Sequence, residues 1–118
     1  MRDLCDVYTE YKRYTRNYGR ELPESKREEM VRFLIRLLDE KKAFYVTVDD
    51  PEEEEPMYFI TDMPKQDIKH IPKMGYVAVM KFIKDKGYCV VEDDFLFEIG
   101  FIDETISMRK ELPVTIVI

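Results

Sequence analysis

Residues 30–61, MVRFLIRLLDEKKAFYVTVDDPEEEEPMYFIT, change hydrophobic period twice, and that change decides the fold. Met30, Phe33, Leu34, Leu37 and Leu38 recur at helical spacing and form one apolar face. Val31 and Ile35 widen that face, so the helix is expected to be covered on more than one side. Ala43 to Val48 is aromatic and β-branched, which reads as a strand. Asp49 to Pro56 holds two prolines around four glutamates that repel one another in any regular element, which reads as a loop. Met57 to Thr61 is a second strand, expected to pair antiparallel with the first through the acidic loop.

Outward from this stretch, helical spacing of Leu4, Tyr8, Tyr11, Thr15 and Tyr18 predicts a first helix over 2–18, stopped at Gly19. Ser25 is expected to cap the second helix, with Glu28 reaching back as in a capping box. Downstream, Asp62 is expected to cap a short helix that runs to Ile71, with Pro64 in its first turn. Residues 76–83 are ambiguous. As a strand Val77, Val79 and Ile83 share a side; as a helix Val77, Met80 and Ile83 or Lys84 share a face, and Lys84, Lys86 and Gly87 make a good helix end. Residues 88–92 and 95–101 read as strands joined by a tight Asp93-Asp94 turn. A short helix over 103–110 and a final apolar strand over 113–118, inside the sheet or at a dimer edge, complete the pattern. The fold class is therefore α+β: helices packed on one side of a mixed or mainly antiparallel sheet of about five strands. At 118 residues, one domain is expected, an N-terminal helix (1–20) with an α+β body (25–118).

The charge is local. Seven of the 25 acidic residues (Asp49, Asp50, Glu52, Glu53, Glu54, Glu55, Asp62) lie between Ala43 and Pro64, where there is no Lys or Arg. The other 18 face 19 basic residues elsewhere, so the net charge of -6 belongs to this one region. A pI near 4.9 argues against a binder that neutralises nucleic-acid phosphates or docks on anionic membranes. Apolar residues make up 45% of the chain, enough for a core. The charged N-terminus carries no apolar stretch, and no segment reads as membrane-spanning, so the default location is cytoplasmic.

Catalytic patterns are sparse. Ser25 and Ser107 read as helix residues, and the sole histidine, His70, reads as a surface residue of a short helix with no nucleophile proposed by spacing. Two cysteines and one histidine do not make a zinc site, and the four isolated glycines do not make a phosphate loop. DDPEEEEP lacks the glycine and the alternating ligands of an EF-hand. Cys89, within the run 88–91, reads as a small buried hydrophobe. Cys5 lies between Asp3 and Asp6, whose charges oppose thiolate formation, and the pair does not read as a disulfide scaffold. No catalytic residue, metal or cofactor is expected.

Two stretches read as docking surfaces. One is the acidic loop, Asp49, Asp50, Glu52, Glu53, Glu54 and Glu55, where a simply solvated loop competes with docking of a basic partner. The other is the first helix, where Tyr11, Tyr14 and Tyr18 alternate with Arg13 and Arg16, residue types enriched at protein interfaces. Simple packing of the tyrosines on the core competes with that reading, and stacking on single-stranded nucleic acid is a weaker rival. The expected function is a small non-catalytic binding or regulatory module acting through protein contacts, with an inhibitor or immunity-type protein covering a basic partner as one form. The opposite charges of the two surfaces also allow a homo-oligomer. The alternative is a small-ligand binder or an enzyme using carboxylate and tyrosine groups in a pocket.

From the second helix onward the chain resembles the SseB-type family, named for an enhanced-serine-sensitivity phenotype. That family runs from an apolar helix into a strand like "YVP", then a strand ending "FTS" or "FTD", then a helical region and a strand ending near "NP". Here FLIRLLDEKK leads into Phe44-Tyr45-Val46-Thr47, Ile60-Thr61-Asp62 follows, and Tyr88 to Asp93 stands at the third position. Thr47 and Ile60 depart from the family's proline and phenylalanine, and the Asn-Pro pair is absent. The resemblance covers about residues 30–106. It implies an α+β domain of non-catalytic role, it favours a helix over 76–86, and it transfers no active-site residue.

Overall fold

The computed structural model describes residues 3–17, 22–99 and 114–117. The helix expected over 103–110, the side chains of Tyr14 and Arg16, and all of Tyr18 lie outside the described residues.

Helix α1 (Leu4–Asn17) begins at a reciprocal cap between two aspartates. Asp3 Oδ1 accepts the Asp6 N–H and Asp6 Oδ2 accepts the Asp3 N–H, each at 3.0 Å. Helix α2 (Glu24–Asp39) starts two residues earlier than a Ser25 cap would place it. Pro23 holds the extended backbone of the cap position, so Ser25 falls inside the first turn and its hydroxyl makes no capping bond. Met30, Leu34, Leu37 and Leu38 are the buried stripe of α2, worth roughly 1.5–3 kcal/mol each. The helix ends in a Schellman turn, with Lys42 N–H on Leu37 O and Lys41 N–H on Leu38 O. Lys41 adopts the left-handed conformation (φ 59°) that this turn requires.

Strands β1 (Phe44–Asp49) and β2 (Met57–Thr61) pair antiparallel, Val46 opposite Phe59 and Tyr45 opposite Ile60. The short helix α3 (Lys65–Ile68) is followed by α4 (Tyr76–Asp85), so the ambiguous segment is a helix. Its buried stripe is Val79, Met80 and Ile83, whereas Val77 is 80% exposed. Gly87 (φ 89°) closes α4 in a second Schellman turn, with Tyr88 N–H on Ile83 O.

Strand β3 (Val90–Glu92) pairs antiparallel with β2. The expected strand over 95–101 is instead helix α5 (Asp93–Glu98). In a strand Phe95 and Phe97 would share a face; here Phe95 is 1% exposed and Phe97 49%. Phe95, Leu96 and Ile99 fall at helical spacing and are buried, and Asp93 and Asp94 suit the positive first turn. The expected Asp93-Asp94 hairpin is therefore a strand-to-helix junction. Strand β4 (Val114–Val117) lies parallel to β1 at the sheet edge. Among the described residues the sheet has four strands, in the order β3-β2-β1-β4, where about five were expected.

The helices do not lie on one side. On one face α1, α2 and α5 bury Leu4, Val7, Met30, Leu34, Phe95 and Leu96 against Ile60 and Val91. On the other, α3 and α4 bury Ile68, Val79, Met80 and Ile83 against Val46, Val48, Phe59 and Val90. The reason is the pleat: adjacent residues point to opposite faces, and adjacent residues here (Phe59 and Ile60, Val90 and Val91) are both apolar. Two apolar faces need two helical layers.

Candidate functional site

The acidic loop is the connector between β1 and β2. Asp49, Glu52, Glu53, Glu54 and Glu55 are exposed, and Asp50 is half-buried. Asp50 builds the turn: its Oδ1 accepts the Glu52 N–H at 2.9 Å and its carbonyl accepts the Glu53 N–H at 3.0 Å. Its other side-chain oxygen lies close to Gly75, where an added Cβ would meet it at 3.5 Å. Glu52 to Glu55 form no ion pair or side-chain hydrogen bond among the described residues. One carboxylate of the run thus shapes the connector, and four are spent on nothing within it.

The aromatic helix is placed differently. Tyr8 and Tyr11 set their rings edge-on against Phe95, at 5.7 and 4.5 Å between centroids. Tyr8 also donates to Glu92 Oε2 at 3.4 Å and Tyr11 to Glu98, so both tyrosines fasten α1 onto α5. Arg13 is exposed.

A groove of about 920 Å³ runs along α2, past Glu29, Arg32, Phe33, Arg36, Leu37 and Glu40. Its other wall is the start of α1, at Asp3 and Leu4, with Lys42 and Asp62 at the sheet end. The carboxylates along it are engaged. Glu29 pairs with Lys26 at 3.9 Å, Glu40 with Lys42 at 3.1 Å, Asp3 caps α1, and Asp62 Oδ1 accepts the Cys89 N–H at 2.8 Å. The side chains of Arg32 and Arg36, one helical turn apart, have no ion-pair or hydrogen-bond partner among the described residues. The sequence signal for them is their i, i+4 spacing on α2.

Asp62 does not cap α3; Pro64 takes that position. Asp62 holds the backbone ahead of β3 instead, together with buried Thr61, whose hydroxyl donates to Cys89 O at 2.7 Å. Cys89 is no lone buried hydrophobe either. It is joined to Cys5 in a disulfide, with Cα atoms 5.6 Å apart and a sequence separation of 84. No sequence pattern pointed to that pairing, because it depends on α1 reaching β3.

A smaller cleft between α4 and β3 gathers Tyr76, Lys84 and Glu92. Burial, then Asp93, pushes the Tyr76 hydroxyl above its ordinary range. Burial, then the neighbouring Asp94 carboxylate, raises Asp93. Such a tyrosine is a hydrogen-bond donor rather than a base, and it meets Asp93 Oδ1 at 3.4 Å. His70 is exposed and makes no side-chain hydrogen bond among the described residues. No group of three or more His, Cys, Asp or Glu that could hold a metal occurs among the described residues, and no described helix is long and apolar enough to cross a membrane. No family model, curated protein or solved structure matches the chain.

Proposed function

We propose that the chain is a binding or regulatory module that works through protein contacts, with the β1–β2 connector as its recognition surface for a basic partner. The supporting observation is the state of Glu52 to Glu55: exposed, unpaired among the described residues, and mounted on two strands of the sheet. Four uncompensated carboxylates on a fixed turn raise the local concentration of a basic surface and orient it. An inhibitor or immunity-type protein that covers a cationic site is the form this takes most directly. Capture from an extract of the native host tests it. The wild type retains a basic partner, and the variant with Glu52, Glu53, Glu54 and Glu55 all changed to Lys does not. Equal capture by both would move the recognition surface elsewhere.

The α2 groove supports a second reading, a site for a small organic anion with an apolar body. The supporting observation is two guanidiniums, unpaired among the described residues, beside Phe33 and Leu37. Titration with octanoate followed by tryptophan-free methods such as calorimetry tests it: Arg32→Gln with Arg36→Gln abolishes the heat, whereas the connector variant leaves it unchanged. No heat with the wild type would remove this reading.

A further inference from the structure

We propose that Cys5 and Cys89 form a thiol-exchange site whose redox state sets whether the α1 wall of the groove is in place. The functional consequence rests on the groove reading; the exchange and the release of α1 do not.

The two halves of the disulfide are held unequally. Cys89 is half-buried, and its backbone is fixed on both sides without the bond, by Asp62 on its N–H and by Thr61 on its carbonyl. Cys5 is exposed, in the first turn of α1. Beyond it, α1 is anchored by Val7, Tyr8 and Tyr11 on the α5 side of the core, and in the first turn itself only Leu4 is buried. The disulfide therefore clamps one end of α1, and that end carries the groove wall, Asp3 and Leu4. Breaking it leaves the first turn held by the burial of Leu4 alone and so loosens it, while Val7, Tyr8 and Tyr11 keep the rest of the helix docked.

Exchange begins at the accessible sulfur. A small external thiolate attacks Cys5 Sγ, forms a mixed disulfide there and expels Cys89 as a thiolate. A second external thiolate attacks the external sulfur of the mixed disulfide, and Cys5 leaves. The two external thiols are oxidised to one disulfide. The protein gains two electrons and, with two protons from solvent, ends with two thiols. Asp3, Asp6 and Asp62 stand around the bond, so a neutral dithiol reacts faster than an anionic thiol such as glutathione, and added salt narrows the gap.

The experiment compares the full chain oxidised, reduced with dithiothreitol, and carrying Cys5→Ser with Cys89→Ser, by hydrogen exchange read with mass spectrometry. The expected result is about tenfold faster exchange over residues 3–9 in the reduced protein and in the double variant, with residues 44–61 unchanged. Unchanged exchange over 3–9 on reduction would overturn the proposal, as would a simultaneous loss of protection over 44–61, since the bond would then hold the whole fold. Alkylation of both thiols in the native, unreduced protein would overturn it too. Should the double variant not fold, the reduced wild type decides. Because the readout is structural, the proposal can stand when octanoate does not bind, and fail when it does.

Discussion

Thr61 shows how one side chain joins two elements. It is fully buried, donates to Cys89 O at 2.7 Å and accepts the Met63 N–H at 3.1 Å. Thr61→Val keeps the shape and leaves a carbonyl and an N–H unpaired, which costs about 2–4 kcal/mol in urea unfolding. Asp93 contributes to the pH dependence. Its folded-state pKa is raised above the usual 3.8, chiefly by burial. Stability from this group is therefore fully present below about pH 3.8 and is lost as pH rises through the folded pKa. Asp93→Asn is expected to gain stability relative to wild type at pH 7 compared with pH 3, measured by unfolding at both. Neither role is visible in sequence. A buried Thr and a half-buried Asp look like their exposed counterparts until the fold supplies neighbours, whereas the exposure of Glu52 to Glu55 was legible because four adjacent like charges have nowhere else to go.

At the scale of elements, α2, β1 and β2 were readable because their apolar periods are long and unbroken. Helix α5 was not: FLF has two aromatics at strand spacing, and only the burial of Leu96 and Ile99 shows that period 3.6 prevails. The C-terminus of α2 holds a local conflict. Lys41 sits at φ 59° in a Schellman turn, a conformation that crowds its Cβ. Lys41→Gly is expected to stabilise the protein by about 0.5–1 kcal/mol, read as a higher Tm. An unchanged or lower Tm would mean that the lysine side chain offsets its backbone cost.

For the whole molecule, the sequence predicts helices on one side of the sheet, whereas the structure has them on both. Phe59-Ile60 and Val90-Val91 place apolar groups on both faces, and two cores result, one under α1, α2 and α5 and one under α3 and α4. Both faces of the sheet are thereby committed to packing, and the unspent chemistry lies at the ends of the β1–β2 pair: the connector at one end, the groove beside Lys42 and Asp62 at the other. The central claim is that the connector's charge serves association rather than folding. It is tested most directly by the association rate constant of the captured partner as a function of ionic strength. The account predicts a fall of about tenfold or more between roughly 20 and 200 mM salt for the wild type, and a slow, nearly salt-independent rate once Glu52 to Glu55 are lysines. A wild-type rate that stays flat across that range would contradict it.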